Sequence, residues 1–182
     1  MRRFFLLTAP LLLAACGGSG EAPDNRPGAA AIEASESESE YAPTPAQRAG
    51  AIAAVERLFE ALATGDGQLL RQVMDPSVVM HFSETRDGAS TFGSSTVDGL
   101  AGRITSSDLP LIERMWDPLV RVNGALATVW APYDFYAGET FSHCGVDAVT
   151  LMETSDGWRI VGLSWTRLQP PACALHPEGP PV

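Results

Sequence analysis

The sequence predicts an α+β domain, because three helical patterns are followed by a run of long strands. Apolar residues recur at helical spacing in segments between residues 44 and 104. From residue 113 onward, apolar runs are separated by turn pairs, Asn-Gly at 123–124 and Asp-Gly at 156–157, which are typical of antiparallel hairpins. Helices first and hairpins later are the order expected of an α+β fold.

The longest helix is predicted to begin after Thr44, with Pro45 in its first turn and Gln47 completing a capping box. Its apolar face carries residues at helical spacing: Ile52, Val55, Phe59 and Leu62. Gly65 is expected to cap its C-terminal end. Two short helices are predicted at 66–74 and 96–104, so the domain has one long helix and two short ones.

A strand is predicted at 77–82, followed by a turn at 86–88. Four longer strands are predicted in the second half: 113–122, 125–136, 141–152 and 158–168. The pair Asp117-Pro118 interrupts the first of these, which favours an edge strand or a bulge, because proline cannot donate to a ladder.

Composition limits the function classes. The chain has 182 residues, of which 45% are apolar and 19% charged, enough apolar residues for one folded domain. Twelve basic residues against 22 acidic ones give a formal charge of −10. We therefore expect no nucleic-acid partner, because phosphate binding needs a basic face.

The N-terminus resembles a bacterial lipoprotein signal peptide. Arg2 and Arg3 precede an apolar stretch at 4–14 that is too short to span a bilayer, and Leu-Ala-Ala-Cys at 13–16 resembles a lipobox. Residues 1–15 are then the signal peptide, and Cys16 carries the acyl chains that anchor the protein to the membrane. Since residue 17 is Gly and not Asp, the predicted location is the cell envelope, lipid-anchored at the outer membrane and facing the periplasm.

The remaining chain divides into three parts. Residues 16–43 comprise the lipidated Cys16 and a Gly-, Ser- and Glu-rich segment without large apolar residues, which predicts a disordered tether. Residues 44–168 form the predicted domain. Residues 169–182 are a proline-rich tail that we expect to be loose.

The domain resembles the nuclear transport factor 2-like superfamily, in its order of elements and in four segments: ERMWDP at 113–118, VWAPYDFY at 129–136, FSHCGVDA at 141–148 and DGWRI at 156–160. The superfamily includes ketosteroid isomerase, scytalone dehydratase and SnoaL-like polyketide cyclases. These segments are similar to an uncharacterised, lumazine-binding-like bacterial branch. The resemblance implies a cone-shaped fold, in which a curved antiparallel sheet wraps around the long N-terminal helix. It does not decide between enzyme and binder.

Candidate site residues follow from strand alternation. His143 and Asp147 share a face of their strand with Val149 and Leu151, so both are expected to point into the cone. An imidazole and a carboxyl group in an apolar cavity can act as base and proton carrier, although positions i and i+4 of a strand lie about 13 Å apart. A structural role or ligand contact alone is the other interpretation.

On the next strand, Tyr133 is expected inside and Asp134 outside. His81, with Glu113 and Arg86, is a further candidate for the pocket rim, and a surface or packing role is the alternative for each.

The function predicted is binding of a small, partly apolar ligand in the conical pocket. One alternative is an isomerase-, dehydratase- or cyclase-type enzyme with Asp147 or His143 as base. The other is a structural or interaction domain that forms a homodimer through its sheet, using Trp130 and Trp165, both expected on the outer face.

No cofactor or metal is predicted, since the three His residues have no ligand spacing and no phosphate-binding loop or nucleophile motif is present. Two cysteines remain besides Cys16. Cys144 and Cys173 either form a disulfide that pins the tail or stay free, the first as a small apolar residue and the second as a tail thiol.

Overall fold

A computed structural model describes residues 40–181 of the chain. The predicted signal peptide, Cys16 and the predicted tether before Glu40 lie outside these residues. Within residues 40–181, no helix is long and apolar enough to cross a membrane.

Within residues 40–181, three helices and seven strands are present, and the predicted elements among them occur in the predicted order. Their bounds are α1 (Pro45–Thr64), α2 (Gly67–Val73), β1 (Val79–Arg86), β2 (Ala89–Thr96), α3 (Val97–Thr105), β3 (Leu111–Met115), β4 (Leu119–Asn123), β5 (Leu126–Ala137), β6 (Thr140–Thr154) and β7 (Gly157–Arg167). This confirms the α+β class and the three predicted helices. β2 was not predicted, and its residues are mostly exposed.

The long helix α1 begins as its sequence predicts. The Thr44 hydroxyl accepts a hydrogen bond from the Gln47 amide at 3.2 Å, and the Gln47 side chain accepts one from the Thr44 amide at 3.0 Å. At the other end, Gly65 adopts φ 66°, a left-handed conformation that favours glycine. The helix therefore has a defined beginning and end that its own residues encode.

All seven strands form one sheet, in the order β2-β1-β7-β6-β5-β3, with β4 also paired to β5. β1 and β7 are parallel, and the other pairs are antiparallel. The predicted strand at 113–122 is split at Asp117, where φ is 45°, so β3 and β4 both pair along the edge of β5. The sheet curves without closing, and α1 and α3 pack against strands on its concave side.

A bulge between Thr150 and Leu151 of β6 changes the alternation of β7. Leu151 pairs with Ile160 and Thr150 with Gly162, so Val161 is an extra residue on β7. Ile160 points into the core, and beyond the bulge the odd-numbered residues Leu163, Trp165 and Arg167 face the same side. The expectation that Trp165 lies on the outer face is therefore wrong, because the extra residue moves the later part of β7 by one position.

Candidate functional site

The concave side of the sheet encloses a cavity of about 160 Å³ beneath α1 and α3. A cavity of this volume is large enough for a single six-membered ring. Its apolar wall is formed by Leu58, Leu62, Met80, Leu100, Leu111, Phe135, Leu163 and Trp165. Its polar residues are Arg103, Glu113, Tyr133, His143, Asp147 and Arg167. The cavity thus combines an apolar body with a small set of ionisable groups, which is the usual composition of a small-molecule site.

Two of these groups form a carboxyl pair. Glu113 on β3 and Asp147 on β6 lie within hydrogen-bonding reach of each other, although β5 separates their strands. Burial raises the pKa of both groups, and the charge of Asp147 raises the pKa of Glu113 further. The pKa of Asp147 rises to about 7. Because two adjacent carboxylates cannot both ionise cheaply, the pair retains a proton near neutral pH.

Arg167 also lines the cavity, and its positive charge lowers the pKa of Glu113 against the effect of burial. The guanidinium carbon lies 4.6 Å from the ring centre of Phe82 and 5.8 Å from that of Trp165. These contacts are within the range of cation–π attraction. The Arg167 Nε is buried and has no hydrogen-bond partner, and Arg167 forms no ion pair with any residue from 40 to 181.

His143 is neutral at neutral pH. Burial and, as the second cause, the positive charge of Arg167 lower its pKa to about 4. Its ring stacks on Phe135 at 4.8 Å between centres, and its Nδ1 lies 3.0 Å from the Ser142 hydroxyl. In this state the imidazole can accept a proton or hydrogen bond, but it carries no charge toward a ligand.

The hydroxyl group of Tyr133 donates its hydrogen bond within the protein. Its hydroxyl donates a hydrogen bond to the Thr166 carbonyl oxygen at 2.7 Å, across the strand that carries Gly145. A Cβ atom on Gly145 would collide with that same carbonyl, so only glycine fits there. Burial raises the pKa of Tyr133, and the group stays protonated. Tyr133 therefore shapes the cavity, and its hydroxyl oxygen can still accept a hydrogen bond.

The structure places the predicted site residues as follows. Tyr133, His143 and Asp147 all line the cavity. His81 does not: it is exposed on β1 and lines a groove on the outer face of the sheet, because it alternates with the buried Met80. Its predicted place in the pocket is therefore wrong.

The two other rim candidates, Arg86 and Glu113, also differ in position. Arg86 is exposed and pairs with Glu84. Glu113, for which a surface or packing role was the alternative, lines the cavity. Arg167 also lines it but was not predicted, because its inward direction depends on the β7 bulge.

The outer face of the sheet carries a separate apolar groove. Phe92 is 87% exposed and Trp130 is 56% exposed, and both line this groove. Val146 and Ala148 form its floor on β6. The predicted outward direction of Trp130 is confirmed.

The C-terminal tail is held against the other end of the outer face. Cys144 and Cys173 form a disulfide with 5.8 Å between their Cα atoms. Asp134 is fully buried there, bound by Arg114 at 2.7 Å and by the His176 amide at 3.0 Å. Contrary to expectation, the tail is not loose, because a covalent bond and a buried acceptor both fix it.

Within the described part of the chain, no group of three or more His, Cys, Asp or Glu residues has an arrangement that could hold a metal ion.

Comparisons with known proteins identify the fold. Similar solved structures include an NTF2-like protein of unknown function from Silicibacter pomeroyi, 18% identical, with a TM-score of 0.52 over 70% of this chain and 100% of that one. An NTF2-like superfamily protein from Salmonella enterica is 15% identical, with a TM-score of 0.55 over 71% and 96%. A candidate dehydratase of the NTF2-like family from Streptomyces avermitilis is 17% identical, with a TM-score of 0.52 over 69% and 99%.

The fold is therefore the NTF2-like cone, in a chain whose structural neighbours are NTF2-like superfamily proteins. Identities this low establish a shared fold and no shared activity. No protein-family model matches the sequence, and no curated protein matches it.

Proposed function

We propose that the protein binds a small, partly apolar molecule in the conical cavity. The observation that carries this proposal is the cavity itself, in which leucine and aromatic walls surround a buried carboxyl pair and an arginine without an ion pair among residues 40–181. A core that served stability alone would gain by replacing these groups with apolar side chains, because burying charge is costly. Ligand binding gives them a use.

Native mass spectrometry of the purified protein tests this proposal. We expect an additional mass that is lost when the cavity is filled by Leu163→Trp. The matched control is Ser164→Trp, on the next residue of β7, whose side chain lies on the outer groove and not in the cavity. A bare mass for the wild type, together with no ligand uptake from a panel of ring-sized compounds, would contradict the proposal.

The carboxyl pair favours a second function, proton-transfer catalysis of the isomerase, dehydratase or cyclase type. A carboxyl group whose pKa lies near neutrality is suited to act as general base and then as acid. In this function Asp147 takes the proton, and neutral His143 is the alternative base. Asp147→Asn would abolish turnover of the bound compound while leaving its affinity nearly unchanged, whereas a pure binder shows no turnover in either form.

The outer groove supports a homodimer as a third proposal. Exposed Trp130 and Phe92 on one face give a second copy an apolar surface to cover. Sedimentation velocity would show a dimer that Trp130→Ala converts to monomer. Leu109→Ala removes an equally exposed apolar residue elsewhere and should leave the dimer intact.

We propose further that Cys16 is lipidated and anchors the protein at the outer membrane, facing the periplasm, on the sequence of residues 1–17 alone. Cys16→Ser would release the protein to the soluble periplasmic fraction and remove the acyl mass. Assignment to the lumazine-binding-like branch is also a proposal, supported by the four segments that resemble it.

A further inference from the structure

Arg167 lacks the partner that a guanidinium in its position requires. Its Nε is buried without an acceptor. Buried donors in folded proteins are nearly always satisfied, by protein, by water or by a ligand. Neither carboxyl group of the pair lies within 4.0 Å of its nitrogens, since no ion pair joins them. Glu84, which lies opposite Arg167 in the β1–β7 register, is ion-paired with Arg86 instead. No acidic group among residues 40–181 therefore forms an ion pair with Arg167.

Arg167 lines the cavity, and its guanidinium packs on two aromatic rings. Phe82 and Trp165 stack on each other at 5.1 Å, and the guanidinium lies over these rings. Aromatic stacking occupies the face of a guanidinium and leaves its N–H donors in the plane free. Those donors suit a planar anion such as a carboxylate, which two parallel hydrogen bonds can hold.

We infer that the cavity takes a small organic carboxylate, whose anionic group lies between Arg167 and the Glu113–Asp147 pair. This inference rests on the proposed binding function and names its ligand class. The ligand's carboxylate accepts hydrogen bonds from Arg167 and from the protonated member of the pair. Its apolar body, about one ring in size, packs on the leucine and aromatic wall.

Proton uptake follows from this arrangement. A ligand carboxylate beside two carboxyl groups is tolerated only when the pair holds its protons, so binding an anion draws a proton from solution. The other groups facing the pair do not supply this proton. His143 on β6 is neutral, Tyr133 on β5 is protonated, and Arg103 on α3 is bound to Ser95.

The acidic groups just outside the cavity are held in ion pairs of their own. Asp134 is ion-paired with Arg114 on the outer face, and on β1 Glu84 is paired with Arg86. The pair is therefore the group whose titration controls binding, and the dissociation constant rises by up to tenfold per pH unit above its pKa.

Calorimetry with benzoate and its uncharged analogue benzamide tests this inference on the purified protein. At pH 5.5 we expect benzoate to bind at least tenfold more tightly than benzamide. We also expect the affinity for benzoate, but not for benzamide, to be lower at pH 8.5. At that pH, binding of benzoate should take up about one proton, measured in buffers of different ionisation enthalpy. Arg167→Met should remove the preference for benzoate. Arg121→Met, which removes an exposed arginine of β4, should preserve it.

Three outcomes overturn the inference. Equal binding of the two compounds, or benzoate binding that does not depend on pH, refutes the carboxylate subsite and leaves the proposed binding function standing. Failure of both compounds to bind, with a bare mass in native spectrometry, refutes the subsite and the proposed function together. Should Arg167→Met fail to fold by circular dichroism, the wild-type comparison of the two compounds still decides.

Discussion

The buried carboxyl pair makes a prediction about stability that needs no ligand. Burial raises the pKa of Asp147 from 3.8 to about 7, so between these values the folded protein holds a proton that the unfolded chain releases. The free energy of unfolding therefore falls as pH rises through this window, by up to about 1.4 kcal/mol per pH unit. Over about three units the contribution reaches at most about 4 kcal/mol.

His143 opposes this effect in part of the same window. Its pKa is lowered from 6.5 to about 4, so the unfolded chain binds the extra proton there and stability rises with pH. Between about pH 4 and 6.5 the His143 slope offsets that of Asp147, whereas Glu113, whose pKa is also raised, makes the stability of the wild type fall with pH. The difference between the wild type and an Asp147 variant removes the His143 contribution and measures Asp147 together with its effect on the pKa of Glu113. Asp75, whose pKa is lowered by Ser77, titrates below the window.

We therefore expect Asp147→Asn to be close to the wild type in stability at pH 4.5 and more stable by about 2–4 kcal/mol at pH 8. The substituted side chain cannot ionise, and its amide can still hydrogen-bond to Glu113. Urea unfolding followed by tryptophan fluorescence, extrapolated linearly at each pH, gives the two curves. Asp156→Asn, in the exposed β6–β7 turn, is the control and should follow the wild type.

One result would refute this reasoning. If Asp147→Asn is destabilised by the same amount at every pH, Asp147 is ionised in the folded protein and Arg167 is its counter-charge. The carboxylate subsite would then lack both its proton donor and its free guanidinium.

Three further predictions concern the remainder of the fold. His143→Gln should exceed the wild type in stability by up to about 3 kcal/mol at pH 4.5 and match it above pH 7, in the same urea series. The reason is that glutamine does not titrate, whereas the buried imidazole of the wild type opposes the protonation that the unfolded chain undergoes. Cys173→Ser should cost about 3–4 kcal/mol in denaturant unfolding, from the chain entropy of a loop with sequence separation 29, and a reductant should destabilise the wild type equally. Gly145→Ala should lower the melting temperature strongly and Gly162→Ala much less, because only the first Cβ meets backbone, the Thr166 carbonyl.

Local signals predicted the helices and most strands because they are complete within a few residues. The capping box at Thr44 needs only Gln47, and the inward direction of His143 and Asp147 needs only the alternation of one strand. β2 lacked such a signal: its mostly exposed residues at the sheet edge give no apolar alternation. For the tail, the Cys144–Cys173 disulfide was one of two alternatives, and the structure confirms it. The second anchor, Asp134, was missed because it lies on a strand far from the tail in sequence.

The site itself depends on long-range register, which no local pattern records. Glu113 meets Asp147 only because β5 lies between β3 and β6, and Arg167 reaches the cavity only because Val161 is extra on β7. Without that residue, alternation from Ile160 would point Trp165 and Arg167 outward, leaving the carboxyl pair without a neighbouring cation. A bulge costs ladder hydrogen bonds, and this one turns the apolar residues Leu163 and Trp165 toward the cavity together with Arg167. Its effect in this protein is to bring the stacked arginine to the same side of the sheet as the acid pair, and that effect is what a binding site requires.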